Sequence, residues 1–252
     1  MTQANLYILT GGSRGMGLAI AEQLLQPGNT VITISRRTNA LLEAHATSAR
    51  ATLEQWTHDL TTSIPVGQHL AHWLQHQGHS DFATATLINN AGTLAQLVPL
   101  SQADPLDLAH ALRVGLEAPM QLTAAFLHAT AEWKGQRRVL NISSGLGRRA
   151  MASQAAYCAA KAGLDHFTRC LALDESLKTN GAKVCSLAPG VIDTDMQAAL
   201  RGASAKNFPD QGNFASLKNG DKLSSPADAA KQVLAYLARS DFGSNPVADV
   251  RD

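Results

Sequence analysis

The 252-residue chain is 45% hydrophobic and 16% charged, which sets aside disordered, collagen-like and coiled-coil readings and leaves a globular protein with a sizeable core. Its 21 Lys and Arg offset 20 Asp and Glu to a formal net charge of +1, so no strong field directs it to nucleic acid or an anionic membrane.

Short apolar runs alternate with helical patterns along the chain. Leu6–Thr10 reads as a first buried strand, followed by a helix over 16–26; Thr30–Ser35 reads as a second, followed by a helix over 39–49. A weaker strand at Thr52–Thr57 precedes a helix over 62–77, and Ala83–Asn89 precedes a long helix over 102–133. Arg138–Ser143, a helix over 153–179 and Lys183–Ala188 complete six strands. This alternation predicts an α/β fold, a single Rossmann-type doubly wound parallel sheet with helices on both faces. No repeat, low-complexity segment or linker interrupts it, so residues 1–252 read as one domain. Over 192–225, Gly, Ser, Asn and Lys break a weakly helical pattern without a strand, as a flap over a substrate site would.

Met1–Leu9 has no basic segment or long apolar stretch, and no later run reaches membrane-spanning length; a cytoplasmic protein without membrane contact is expected. The three cysteines, Cys158, Cys170 and Cys185, lack zinc spacing and fit a reducing compartment. His69, His72, His76 and His79 crowd one helix, but no cysteine or carboxylate cluster completes a site, so no metal is expected.

The turn Thr10-Gly11-Gly12-Ser13-Arg14-Gly15-Met16-Gly17 joins the first strand to the first helix. Backbone N–H groups and a helix N-terminus can there approach a pyrophosphate without Cβ obstruction. The second strand ends in Ser35-Arg36-Arg37 where an acidic residue would grip ribose hydroxyls. Guanidinium groups there, with Arg14, suit a 2′-phosphate and favour NADPH over NADH; otherwise they are solvated surface charges. Asp59 either accepts from an adenine amino group or caps the next helix. After the fourth strand, Asn90, Ala91 and Gly92 permit close approach to a cofactor, whereas Asn89 has an equally good structural reading.

Ser143-Ser144-Gly145 ends the fifth strand, and Tyr157 and Lys161 lie i and i+4 on a helix, which puts a phenol and an ammonium on one face. A nearby cation favours phenolate and brings tyrosine toward acid/base chemistry at neutral pH. Ser144 can hydrogen-bond a reacting carbonyl oxygen. Tyr-x-x-x-Lys alone is common by chance; here it follows a glycine turn and a Ser-Ser strand end in the order that converges them on one ligand.

These motifs resemble the short-chain dehydrogenase/reductase family over nearly the whole chain: the glycine turn, Asp59, Asn89-Asn90-Ala91-Gly92, Ser144 thirteen positions before Tyr157, Lys161, and Pro189-Gly190. The resemblance implies that Ser144 orients substrate, Tyr157 is the acid/base, and Lys161 also binds the nicotinamide ribose. It also implies that Ile192 and Thr194, after Pro189-Gly190, touch the carboxamide. Ser35-Arg36-Arg37, Leu140–Gly145 and Leu187–Gln197 resemble the benzil reductase and sepiapterin reductase-like branch, implying NADPH-dependent reduction of a ketone or vicinal diketone. The family also implies a homodimer, or a tetramer, through the helices over 102–133 and 153–179.

Gly115 stands where the family carries an asparagine that shapes a helix bend near the lysine. Loss of that side chain is expected to impair the proton relay, unless water or the Gly115 carbonyl suffices. Two alternatives therefore stand: a non-catalytic NADPH-binding sensor or scaffold, and an NADP-dependent alcohol dehydrogenase working in the oxidative direction. Cys158, beside Tyr157, reads either as a reactive thiol or as a small buried residue.

Overall fold

The computed structural model describes residues 4–252. The first three residues of the leader reading over Met1–Leu9 lie outside the described residues. Seven parallel strands form one sheet in the order β3-β2-β1-β4-β5-β6-β7: β1 Ala4–Thr10, β2 Thr30–Ser35, β3 Thr52–Thr57, β4 Phe82–Asn89, β5 Gln136–Ile142, β6 Lys183–Ala188 and β7 Val247–Asp249. Helices α1 Gly15–Leu24, α2 Ala40–Ala49 and α3 Ser63–Gln75 follow the first three strands.

Successive residues of each strand feed opposite layers, because strand side chains alternate faces. Leu9, Val31, Leu140 and Leu187 pack with Ile20 and Leu24 of α1, whereas Ile8, Ile32, Leu87 and Val139 pack with Leu70 and Leu74 of α3. Burial on both faces explains the near-continuous apolar composition of the strands. Full burial of each such Leu or Ile contributes about 1.5–3 kcal/mol against leaving it exposed.

The strand order reverses between β1 and β4. At such a switch point connecting helices depart to opposite faces and leave a crevice at the carboxyl ends of the strands. Register brings Leu9 beside Ile88, Asn89 beside Asn141 and Ile142 beside Leu187, so these ends lie side by side at its floor.

Three elements depart from the expected pattern. The seventh strand, only three residues long, follows Pro246 and gives no apolar run to detect. The single helix expected over 102–133 is instead α4 Pro105–Leu112, a π-helical turn at Arg113–Glu117 and α5 Ala118–Ala129. Asp104 sets the start of α4 by accepting from the Leu106 and Asp107 amides, with Pro105 in the first turn. At the far end Thr130 turns its hydroxyl back to the Phe126 carbonyl.

After the long helix α6, Ala155–Ser176, and β6, the segment expected to be a flap contains α7 Asp195–Arg201 and α8 Gln211–Asn219. Its ends are joined by an isolated parallel bridge between Ile192 and Ser224. The helix that follows, α9 Pro226–Leu237, packs Ala229, Ala230 and Val233 into the layer with α1. Its start is capped by Ser225, which accepts from the Asp228 amide. No helix among the described residues is long and apolar enough to cross a membrane.

Candidate active site

The glycine turn lies at the carboxyl end of β1. Gly15, at φ +55°, occupies left-handed backbone as the chain enters α1. At Gly17 a Cβ would lie 2.0 Å from the Gly11 carbonyl oxygen and 2.5 Å from Asn90 Nδ2. Arg14 occupies the N-cap of α1 without a side-chain cap bond, and the first turn carries no acidic residue. Uncapped N–H groups at a positive helix end fit a pyrophosphate.

The neighbouring strand ends fit the rest of a dinucleotide. Ser35 is 9% exposed and its hydroxyl has no hydrogen-bond partner among the described residues. Arg36 and Arg37 are exposed, and among the described residues neither has an ion-pair partner. Arg14, expected to share a phosphate with them, instead pairs with Asp195 at the start of α7 at 2.7 Å. Thr194, the residue before it, sits over the turn, 3.6 Å from where a Cβ on Gly15 would stand.

The other expected cofactor residues divide between scaffold and cleft. Asp59 accepts from the Thr61 amide, so its cap role is realised; that bond, chiefly, and the Arg36 charge hold its carboxyl below the usual range. Asn90 turns inward, its Nδ2 donating to the Thr10 carbonyl at 2.9 Å, and the Asn90 and Ala91 amides both donate to Thr10 Oγ1 at 3.0 Å. Asn89 donates to Asn141 Oδ1 at 2.8 Å, and Asn141 donates to Thr168 Oγ1 at 2.8 Å, which ties β4, β5 and α6 together. Gly92, by contrast, is exposed, and a Cβ there would lie 3.9 Å from Lys161 Nζ. Gly190, at φ +82°, turns the chain out of β6 toward the flap, after the buried Pro189.

Ser144, Tyr157 and Lys161 converge at the end of β5. Ser144 follows the strand, its Oγ accepts from the Leu146 amide, and its hydroxyl bonds the Tyr157 phenol. Lys161 is 4% exposed and donates from Nζ to the Ile142 carbonyl at 2.7 Å, with Nζ 5.7 Å from the Tyr157 ring centre. Burial holds the Tyr157 phenol above its ordinary value, with the Ser144 bond pulling the other way. The net direction is thus opposite to the shift toward phenolate expected from Lys161. Lys161 itself is pushed down to about 8 by burial, against the opposing charge of Asp165. Such an arrangement can polarise a carbonyl through Ser144 and Tyr157 and deliver a proton to its oxygen.

An open cleft of about 370 Å³ lies between the loop after Ser144 and the segment expected to be a flap. Met151, Val191, Phe214 and Leu217 give it apolar walls, with Arg149 and Lys222 among the polar lining residues. The flap helix α8 and the loop after Ser144 thus face one space, sized for a small organic molecule.

A model of the short chain dehydrogenase family matches residues 5–205. The chain belongs to the short-chain dehydrogenase/reductase family. Among curated members, a benzil reductase ((S)-benzoin forming) from Bacillus cereus is 37% identical over 240 residues, covering 95% of this chain and 96% of the relative. A sepiapterin reductase from Meriones unguiculatus is 30% identical, covering 97% of this chain and 95% of the relative. A metagenomic short-chain oxidoreductase solved in complex with NADP is 26% identical with a TM-score of 0.73, covering 97% of this chain and 96% of that one.

For a short-chain dehydrogenase/reductase the departure at Gly115 is the informative one. The chain bends here without the asparagine side chain, as the π-helical turn. Gly115 is buried there, and a Cβ would stand 3.0 Å from Ala160 Cβ, the residue before Lys161. The glycine thus brings the π-helical turn and α6 close together next to the lysine.

Sequence reasoning did not anticipate the imidazole pair His58 and His69, whose Nε2 and Nδ1 lie 3.1 Å apart, with His69 stacked 4.0 Å from Trp56. Spacing in the sequence grouped His69, His72, His76 and His79 on one helix, but only His69 and His72 lie on α3, which ends at Gln75; the partner His58, just after β3, is brought by folding. No group of three or more metal-ligating side chains occurs among the described residues. Cys158 is half-buried, Cys170 exposed, and burial pushes the Cys185 thiol up to about 12.

Proposed function

We propose that this short-chain oxidoreductase uses NADPH to reduce a ketone or vicinal diketone to the hydroxy compound, with Tyr157 as the proton donor. The convergence of Ser144, Tyr157 and Lys161 beside the glycine turn carries this reading. A bound nicotinamide supplies a hydride from C4 to the carbonyl carbon. Ser144 polarises the carbonyl oxygen, Tyr157 gives that oxygen its proton, and Lys161 holds the ribose and a positive charge beneath the phenol. The protonated phenol is the form that reduction requires. Oxidation of an alcohol, the reverse direction, would need the phenolate.

Gly11, Ser13, Gly15, Met16 and Gly17 form the pyrophosphate turn in this reading, with Asp59 and Asn90–Gly92 along the adenosine and ribose, and Pro189, Gly190, Ile192 and Thr194 at the carboxamide. The free Arg36 and Arg37 guanidiniums and the unpartnered Ser35 hydroxyl support a 2′-phosphate, hence NADPH. The benzil reductase relative supports a substrate with two adjacent carbonyls, and the cleft under residues 192–225 suits it. Chain 1–252 is proposed to act as one cytoplasmic domain. A homodimer fits the exposed Leu173 near the end of α6, Leu177 just beyond it, and Met120 on α5.

Initial rates of NADPH oxidation against aromatic and aliphatic vicinal diketones, with NADH in parallel, test the reading. Turnover with NADPH and little with NADH is expected, and Tyr157→Phe should abolish it while leaving NADPH binding nearly intact. NADPH binding without turnover of any carbonyl would favour the sensor or scaffold alternative.

A further inference from the structure

Helix α6 carries Tyr157, Lys161 and Asp165 at successive i+4 positions, so the three share one stripe of the helix. Asp165 is 1% exposed. Its Oδ1 accepts from Ser143 Oγ at 2.5 Å and from Ser186 Oγ at 2.7 Å, which joins α6 to the ends of β5 and β6. Its Oδ2 has no hydrogen bond; Arg148 Nε stands 3.4 Å away. Gly147 packs so closely that a Cβ would lie 2.9 Å from that oxygen.

A carboxylate removed from water with one oxygen unbonded is expensive unless cations compensate it. Two are present. Arg148 approaches from the turn after Ser144, and its Nη2 is anchored on the Ala248 carbonyl at 2.7 Å. Lys161, one helical turn back, is buried and bound to the Ile142 carbonyl, and senses the Asp165 charge. Cys185 of β6 also faces Asp165 and Arg148, and Asp249 of β7 faces Arg148. With the Cys185 thiol pushed up to about 12, Asp165 is the anionic group that balances the buried lysine.

We propose that Asp165 is the positioning residue of this centre: its carboxylate fixes Ser143, and with it the strand end bearing Ser144, while supplying the negative charge that balances the Lys161 ammonium. The proposal rests on the catalytic reading of Ser144, Tyr157 and Lys161 given above. Asp165 acts through these groups and needs no contact with substrate. Ser143 is bonded to it and adjoins Ser144, so a shift of the carboxylate displaces the carbonyl-binding hydroxyl. Arg148 has the opposite sign and competes with Lys161 for the same charge.

The test uses the full chain in three variants, Asp165→Asn, Arg148→Gln and Ser143→Ala, with folding checked by circular dichroism and NADPH binding. The titration midpoint of Lys161 is read directly by 13C NMR of its Cε, assigned by its loss in Lys161→Met, and compared with the alkaline limb of kcat/KM for a diketone. Asp165→Asn should lower the midpoint by about one pH unit, and Arg148→Gln should raise it by releasing the carboxylate from its other cation. Ser143→Ala should leave the midpoint in place and lower kcat severalfold. Should Asp165→Asn fail to fold, the opposite-signed shift in Arg148→Gln decides. An unmoved midpoint in the folded variants, or rates that fall equally at every pH, overturns the charge role; an unchanged kcat in Ser143→Ala overturns the positioning role. The NMR midpoint needs no substrate. It decides the charge role even if no carbonyl is reduced, and turnover with a fixed midpoint removes that role alone.

Discussion

The Arg14 guanidinium meets the Asp195 carboxylate at 2.7 Å and ties the glycine turn to the first flap helix across 181 residues of chain. Both side chains are largely exposed, at 70% and 77%, so the pair is easily exchanged for another partner. A 2′-phosphate is such a partner. Asp195→Asn should therefore tighten NADPH binding by up to about fivefold and leave NADH binding unchanged, as read by fluorescence titration. An equal change for both cofactors would remove Arg14 from the phosphate site.

Lys161 gives a second prediction, with a definite sign. Burial lowers it to about 8, so in the free enzyme it loses its charge above that pH and kcat/KM for NADPH should fall along the same limb. Stability should move the other way. Between about pH 8 and pH 10.4 the unfolded chain binds the proton that the folded lysine has released, so this group's penalty is present below pH 8 and is relieved as pH rises. Urea denaturation at pH 7 and pH 9.5 should show a gain of about 2 kcal/mol relative to Lys161→Met over the same interval.

Gly115 gives a third. Asparagine at this position would drive a Cβ to 3.0 Å from Ala160 Cβ on a helix already packed against the sheet. Overpacking of this kind costs about 1–3 kcal/mol, more than the roughly 1 kcal/mol recovered by removing a mid-helix glycine. Gly115→Asn should lower the melting temperature and, by pushing on Ala160 next to Lys161, lower kcat as well. A more stable variant with higher kcat would show instead that the glycine is a defect in the proton relay.

Cys185 is fully buried and its thiol is pushed up to about 12, so at pH 8 it should resist a disulfide reagent in the folded protein. It should react only in denaturant, with a midpoint matching loss of helical circular dichroism. Early labelling of Cys185 in native buffer would indicate local opening of β6.

β1, β2, β4, β5 and β6 were legible because a parallel sheet covered on both faces writes itself as short apolar runs, whereas the edge strand β3, of mixed composition, was only weakly marked. The glycine turn and the Ser144, Tyr157 and Lys161 set were legible for a related reason: their order along the chain is the order in which a doubly wound sheet presents its strand ends. Long-range pairings left no such trace. That Arg14 is held by Asp195 and that Gly115 meets Ala160 depend on elements far apart in sequence. Asp165 could be placed on the stripe of Tyr157 and Lys161 from spacing alone, but its burial depends on hydroxyls that β5 and β6 bring to it. The π-helical turn escaped for another reason. A one-residue widening hardly alters the periodicity of a helical pattern, so 102–133 read as one helix.

The bridge between Ile192 and Ser224 has a consequence for how such a protein acquires new substrates. The Asp193 amide donates to the Ser224 carbonyl and the Ser224 amide to the Val191 carbonyl, both at 3.0 Å, so the two feet of the excursion stand together on the rim of the sheet. Chain length between pinned feet is thermodynamically cheap, since each doubling of a flexible loop costs only about 0.6 kcal/mol. The stretch from 193 to 223 is therefore a cassette. Segments from related proteins can be spliced between those feet to rebuild the wall of the cleft, while the strands beneath keep their places.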